Sequence, residues 1–197
     1  MSDIQPVRQA IKVLDQRVTE IERAGSPDEL EAAWIGVLNA YYSFFEKCKA
    51  ISKSESKSGR WFEGKVHARR TDPLLAYMHH ARNAETHGLE GSQKWDSGTL
   101  LLGIPGMGAS ESMTINLSFD HRGIPTGTVR SNDGRPITGY HAPARMYLVD
   151  VIDKGTSFPV PTEHLGKPLS STDPLLLSKL VQTYLRTMLE ELTALHE

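Results

Sequence analysis

Apolar residues spaced three and four positions apart in the first quarter of the chain restrict the fold more than any other feature. This spacing places apolar side chains on one face of an amphipathic helix. It occurs first at Ile4, Val7, Ile11, Leu14, Val18 and Ile21. It returns after Gly25 at Leu30, Trp34, Val37, Leu38, Tyr41, Phe45 and Cys48. Two antiparallel helices joined by a short turn are therefore predicted for this part of the chain.

Helix start signals mark the boundaries of the helical segments. Ser26 is predicted to cap the second helix, Pro27 suits a first helical turn, and Glu29 completes a capping box. The sequence Thr-Asp-Pro-Leu-Leu occurs twice, at 71–75 and at 172–176, and predicts a helix start at each place. The third helix is expected to end near Gly88 and the fourth near His196.

Between residues 95 and 169 the helical spacing disappears, and Gly, Pro and β-branched residues become frequent. Alternation of apolar and polar residues predicts strands at 113–119, 126–130 and 145–152. The predicted fold class is mainly α, an antiparallel bundle of four long helices with an antiparallel β-rich insertion between helices three and four. Residues 1–94 and 170–197 would form the bundle as one domain, and residues 95–169 would form the insertion packed on it.

Composition excludes several classes of protein. The 197 residues carry a formal net charge of −2, so overall charge does not indicate a nucleic-acid-binding protein. A single cysteine, Cys48, excludes an internal disulfide and a multi-cysteine metal site. No apolar stretch approaches the ~20 residues of a membrane span, and the first residues lack the pattern of a secretory signal. A cytoplasmic protein without membrane contact is expected.

Residues 49–70 are rich in lysine, arginine and serine and contain only two acidic residues. Two interpretations remain open. The segment could be a basic loop that attracts a polyanion, with Arg60 and Lys65 contacting the substrate, or a solvated connector between helices. Trp61 and Phe62 could stack on bases or could anchor the loop to the core.

The third predicted helix carries a dense group of basic, amide and imidazole side chains within residues 79–88. Arginine is a permanent, forked cation, and histidine exchanges protons near neutral pH. Arg82 and His87 are separated by four residues, and the amide of Asn83 directly follows the arginine. This spacing makes the stretch the strongest candidate for a functional site.

The stretch from Arg82 to His87 resembles the signature of the HEPN superfamily of helical-bundle proteins, which is an arginine, usually followed by a polar residue, and a histidine after four to six positions. The resemblance covers the helical portion, roughly residues 1–94 and 170–197. It implies a metal-independent endoribonuclease with Arg82, Asn83 and His87 as catalytic residues at a composite site of a homodimer. A bacterial stress or defence system, with an antitoxin or another protein as partner, is the context that the resemblance suggests.

The chemistry of metal-independent RNA cleavage suits these residues. The 2′-hydroxyl must lose a proton, the leaving oxygen must gain one, and charge on the phosphate must be stabilised. His87 could transfer a proton, Arg82 could hold the phosphate, and Asn83 could bind the phosphate or position either neighbour. His80 shares a helical face with Asn83 and is a predicted substrate contact. Arg82 and His87 point about 140° apart on a regular helix, so a helix distortion or a two-fold dimer is needed to bring them together.

Other interpretations stay open. Arg82 and His87 could form structural hydrogen bonds at a helix C-terminus, where the helix dipole favours cations. The chain could then be a non-catalytic module that binds nucleic acid, nucleotide or a partner protein, or a structural dimer whose β element contacts a partner. No cofactor is expected. No metal site is expected either, because His79, His80 and His87 have only Glu85 as an accompanying carboxylate.

Overall fold

The computed structural model describes residues 4–53, 56–87, 91–96, 98–103, 113–119, 125–132, 134–142 and 144–196. Within these residues there are five helices, which are α1 (Gln5–Arg23), α2 (Pro27–Ser52), α3 (Ser56–Thr71), α4 (Pro73–His87) and α5 (Pro174–His196). The predicted fold class, a bundle of four long helices, is therefore wrong. The additional helix, α3, lies between the predicted second and third helices.

Helix α3 occupies the basic segment that was predicted to be a loop. Trp61 and Phe62 are partly buried against the core, and the Trp61 indole N–H donates to Glu191 Oε2 on α5 at 2.6 Å. The Arg69 guanidinium lies 4.7 Å from the centre of the Phe45 ring. Because long basic side chains can cover apolar surface with their stems, few apolar residues are needed on this helix to bury one face. The sequence therefore lacks a clear helical period here.

The predicted starts of α2, α4 and α5 are confirmed by hydrogen bonds. Ser26 Oγ accepts from the backbone N–H of Glu29 at 3.3 Å, as an N-cap does. Asp72 Oδ1 accepts from a backbone N–H in the first turn of α4 at 2.9 Å. Asp173 Oδ1 accepts from two such groups at the start of α5. The repeated Thr-Asp-Pro-Leu-Leu sequence thus starts a helix at both of its positions.

Ten short strands lie between α4 and α5 in the described part of the chain. They are β1 (Gln93–Asp96), β2 (Thr99–Gly103), β3 (Met113–Phe119), β4 (Pro125–Ser131), β5 (Thr138–Ala142), β6 (Arg145–Leu148), β7 (Val151–Asp153), β8 (Thr156–Phe158), β9 (Glu163–His164) and β10 (Lys167–Pro168). They pair in antiparallel twos, β1 with β6, β2 with β5, β3 with β4, β7 with β8 and β9 with β10. The strands predicted at 113–119 and 126–130 are confirmed as β3 and β4.

The strand pairs β1–β6 and β2–β5 share one antiparallel register, and we call these four strands the ribbon. The pair of β3 with β4 is a separate two-stranded sheet that is nested between β2 and β5 along the chain. Met146 and Leu148 on β6 are buried in the core, whereas the Ile115 side chain on β3 is half exposed. The strand predicted at 145–152 is two strands, β6 and β7. Val149 still pairs beside β1, since its N–H donates to the Ser92 carbonyl oxygen at 3.0 Å, and the chain leaves the ribbon after it.

The core lies between the helices and the base of the ribbon, and its largest fully buried side chains are Trp34, Tyr41, Tyr77, Phe44 and Phe45. Strands β7, β8 and β9 contact α4. The Tyr77 hydroxyl lies 2.8 Å from the Val149 carbonyl oxygen, which ties the chain just before β7 to the same helix. None of the described helices has the length and apolar character that crossing a membrane requires.

Candidate functional site

One carboxylate from the β region binds two side chains on successive turns of α4. Asp153 Oδ2, at the end of β7, accepts from the His80 Nδ1–H at 2.7 Å and from Asn83 Nδ2 at 2.8 Å. His80 and Asn83 are three residues apart on α4, so their side chains project from the same face. The structure therefore brings these two predicted site residues together on a third residue that lies 70 positions beyond Asn83.

The His80 imidazole is also held by an aromatic ring. Phe158 on β8 stacks on it with a centroid separation of 3.4 Å and an interplanar angle of 10°. The side chain of His80 remains 25% exposed, and that of Asp153 is 12% exposed. The β7–β8 pair thus fixes both the position and the plane of one imidazole at the protein surface.

Two arginines whose charges act on the neighbouring His79 lie on aromatic rings of α2. The Arg82 guanidinium lies 4.1 Å from the centre of the Tyr42 ring, and the Arg69 guanidinium lies 4.7 Å from that of Phe45. Stacking on a ring orients the plane of a guanidinium and leaves its N–H groups available at the edge. Arg82 Nε is buried and makes no hydrogen bond to the described residues.

The pKa of His79 reflects the positive charge of its surroundings. Its ring is stacked parallel to Tyr42 at a centroid separation of 6.2 Å. Burial lowers the pKa of His79, and the positive charges of Arg69 and Arg82 and the neighbouring imidazole of His80 lower it further, to about 4. His79 is therefore neutral at pH 7 between two permanent cations.

The surroundings of Asp153 favour its charged form, whereas those of His79 favour the neutral form. Burial raises the pKa of this carboxyl group, but the hydrogen bonds from Asn83 and His80 and the charge of Lys154 lower it more, so the net pKa lies below the ordinary value. The carboxylate is therefore ionised at neutral pH.

We call the surface formed by Tyr42, Arg69, His79, His80, Arg82, Asn83, Asp153 and Phe158 the α4 site.

Of the other predicted site residues, Lys65 and Arg60 lie away from the α4 site. His87 is the last residue of α4, and its side chain lies outside the described part of the structure. Lys65 Nζ pairs with Glu191 Oε2 at 2.6 Å, between α3 and α5, so it is engaged away from the α4 site. Arg60 lines a separate groove of about 760 Å³ between the end of α2 and α3.

The groove that contains Arg60 is strongly basic. Its polar lining includes Lys49, Lys53, Arg60, His67 and Arg70, with Glu63 as the one acidic residue among those that line it. Helix α3 therefore presents cations on two sides, Arg69 toward the α4 site and Arg60 and Arg70 toward this groove.

Asp153 and Arg69 were not predicted to be part of a site. The aromatic rings that contact the arginines and His80 were not predicted either. Asp153 belongs to an Asp-Lys-Gly turn sequence, and nothing local in such a turn indicates a contact with a helix 70 residues earlier. Arg69 was visible only as one of many cations in residues 49–70. The periodicity of α3, had it been recognised, would have separated Arg69 from its neighbours.

The arrangement can bind an anion and transfer a proton. Two arginines supply permanent positive charge, and a fixed imidazole beside an ionised carboxylate supplies a base. In the described part of the chain, no group of three or more His, Cys, Asp or Glu side chains is arranged to hold a metal ion. Five cavities have described linings, and neither His80 nor Arg82 is among the residues that line them.

Comparisons of the chain with models of known protein families, with curated proteins and with solved structures found no match.

Proposed function

We propose that the protein is a metal-independent endoribonuclease of the HEPN type that cleaves RNA at the α4 site. The observation that carries this proposal is that the Arg82 guanidinium, which lies 4.1 Å from the centre of the Tyr42 ring, shares α4 with His80 and Asn83, which both bind Asp153. The spacing of Arg82, Asn83 and His87, which resembles the HEPN signature, is a second support.

The electrostatics favour a phosphate as the group that is bound. Arg82 and Arg69 rest on aromatic rings, and guanidinium groups bind phosphate through paired, charge-assisted hydrogen bonds. Both charges act on His79 and help to keep it neutral. A site where cations suppress the protonation of a histidine attracts anions, and perturbed titration of this kind is frequent at functional sites.

In the proposed reaction Arg82 binds the scissile phosphate and stabilises the charge that develops on its oxygens. Asn83 donates to Asp153 and so keeps the carboxylate beside His80. His87 supplies the proton for the leaving 5′ oxygen. The products are a 2′,3′-cyclic phosphate and a 5′-hydroxyl, because the 2′ oxygen is the nucleophile.

The basic groove on α3 provides a route for the rest of the RNA. Lys49, Lys53, Arg60 and Arg70 line it, and contacts of this kind bind the phosphate backbone without reading its sequence. Binding through this groove should weaken steeply as salt concentration rises, since each phosphate contact releases counterions.

A homodimer completes the proposed site. Arg82 and His87 are five residues apart on α4, which corresponds to about 140° around a regular helix. A two-fold axis near the end of α4 would allow His87 of each chain to act at the α4 site of the other. Mixing inactive Arg82→Ala and His87→Ala proteins should then restore part of the activity, because some mixed dimers contain one intact site.

The test is incubation of the purified protein with single-stranded RNA in the presence of a chelator, followed by analysis of the fragment ends. We expect 2′,3′-cyclic phosphate and 5′-hydroxyl ends, and their loss in Arg82→Ala. Arg186→Ala is the matched control, because Arg186 is an exposed arginine that pairs with Asp15 where α5 meets α1.

Three results would contradict the proposal or redirect it. Cleavage that needs a divalent metal, or that survives Arg82→Ala, would refute it. RNA binding that is lost in Arg82→Ala, without any cleavage by the unaltered protein, would identify a non-catalytic nucleic-acid-binding module instead.

A further inference from the structure

The hydrogen bond between His80 and Asp153 determines which nitrogen of the imidazole can accept a proton. The carboxylate is only an acceptor, so it takes the proton on Nδ1 at 2.7 Å. The neutral imidazole then keeps its lone pair on Nε2. A carboxylate bound to one nitrogen of a histidine is a common way to fix the tautomer and to raise the basicity of the other nitrogen.

The surroundings hold the ring in one orientation. Phe158 covers one face at 3.4 Å, and the edge of His79 lies against it with a centroid separation of 5.0 Å and an angle of 74°. Asn83 binds the same carboxylate oxygen, which prevents Asp153 from turning away. A quarter of the His80 side chain is nevertheless exposed. Such rigidity with remaining access is what a proton-transfer group requires.

We propose that His80, oriented by Asp153, is the general base of the α4 site, and that it removes the proton of the RNA 2′-hydroxyl. This inference rests on the proposed ribonuclease function. It assigns a catalytic role to a residue that the sequence analysis treated as a substrate contact, and a positioning role to Asp153.

In the proposed cleavage step His80 Nε2 takes the 2′-hydroxyl proton, the 2′ oxygen forms a bond to phosphorus, and the bond from phosphorus to the 5′ oxygen breaks. The 5′ oxygen receives its proton from His87. The imidazolium that forms on His80 is stabilised by the Asp153 carboxylate, and the charge on the phosphate is stabilised by Arg82.

Asp153 is the charged group that contacts His80 directly, at 2.7 Å. Asn83 and Lys154 in turn stabilise the charged form of that carboxylate. Because Asp153 orients the imidazole and stabilises the imidazolium that forms, whereas Arg82 binds the phosphate, we expect Asp153→Asn to lower the maximal rate of cleavage and to leave KM unchanged.

The experiment compares single-stranded RNA with a nucleoside 3′-(p-nitrophenyl phosphate), whose leaving group departs without a proton. Loss of a base slows both reactions, whereas loss of an acid slows only the cleavage of RNA. We expect His80→Gln to lower both rates by about 10² or more. We expect His87→Gln to lower only the rate with RNA.

Two further variants separate catalysis from folding. Asp153→Asn keeps an oxygen that can accept from Asn83 and His80, so it removes the charge with little change in shape. Ile152→Ala is the matched control, because this neighbouring β7 side chain is 65% exposed and should leave both rates unchanged. Thermal unfolding of each variant confirms that it is folded at the assay temperature.

The outcomes distinguish this inference from the function on which it rests. If the unaltered protein does not cleave RNA, or Arg82→Ala cleaves normally, the proposed function fails and the inference fails with it. If cleavage depends on Arg82 while folded His80→Gln keeps its rate with both substrates, only the inference is overturned. An unchanged maximal rate in folded Asp153→Asn, or a fall in rate that comes only from a higher KM, would overturn the role of Asp153.

Discussion

Replacing Asp72 by asparagine tests how strongly the fold depends on one buried carboxylate at the start of α4. Asp72 Oδ1 accepts from Leu75 N and from His164 Nδ1, each at 2.9 Å, and Oδ2 accepts from Leu165 N at 2.6 Å. Only 6% of the Asp72 side chain is exposed. Because an amide offers one acceptor and one donor group, at least one of these N–H groups would face another donor in either orientation of asparagine.

The expected cost follows from these contacts. A hydrogen bond to a charged group contributes roughly 1.5–3 kcal/mol, and a buried donor left unpaired costs roughly 1–3 kcal/mol. These effects overlap, so the free energy of unfolding should fall by about 3 kcal/mol. Burial raises the pKa of Asp72, but its hydrogen bonds, first that of His164, lower it more, so the net pKa lies below the ordinary value. The charge thus contributes fully above about pH 4 and is lost as pH falls through the native pKa.

The chain contains a matched control in the second Thr-Asp-Pro-Leu-Leu sequence. Asp173 caps α5 but is exposed, and its Oδ1 accepts from the N–H groups of Leu175 and Leu176, at 2.9 and 3.3 Å. Asparagine caps helices about as well as aspartate, so Asp173→Asn should cost less than about 0.5 kcal/mol. Urea unfolding of both variants at pH 7, followed by circular dichroism, gives the comparison. Costs within about 1 kcal/mol of each other would refute the reasoning, since Asp72 would then be an ordinary cap.

Three further predictions concern other buried groups. His79 has a pKa of about 4 in the native state against about 6.5 in the unfolded chain, so unfolding takes up as much as one proton at this site between these pH values. The protein should lose stability as pH falls through this range, and His79→Gln should make the loss shallower in urea titrations at several pH values. Burial raises the pKa of the Cys48 thiol to about 12, so a thiol reagent should leave the native protein unmodified at pH 8 and react fully in urea. Trp61→Phe removes the hydrogen bond to Glu191 and should lower the free energy of unfolding by about 1.5 kcal/mol, measured by urea titration, and an unchanged value would show that this contact is dispensable.

The helices that bury an apolar stripe could be predicted from the sequence, and α3 could not. In α1 and α2 the buried side chains are apolar and recur with the helical period. In α3 the contacts with the rest of the protein come from Trp61 and Phe62 and also from Lys65 and Arg69, whose charged groups lie over the Tyr184 and Phe45 rings. A pattern of apolar residues cannot reveal burial by charged side chains, so a helix was mistaken for a basic loop.

The candidate site was predictable only where its residues share one helix. His80 and Asn83 were expected on one face of a helix, and both bind Asp153. Their partner could not be expected, because its position depends on how β7 packs on α4 and no local pattern encodes that contact. The same is true of Tyr42, which was not among the residues predicted to face the core and whose ring contacts Arg82 in the structure.

The most direct test of the central claim is the initial rate of RNA cleavage in chelator by Arg82→Lys, measured beside Arg186→Lys. Both changes keep the charge, but lysine cannot lie flat on Tyr42 or present two parallel donors to a phosphate. If Arg82 binds the scissile phosphate as proposed, its replacement should lower the rate by about tenfold or more, which is at least ~1.4 kcal/mol of transition-state stabilisation. The Arg186 variant should match the unaltered protein. Equal rates for the two variants would contradict the account.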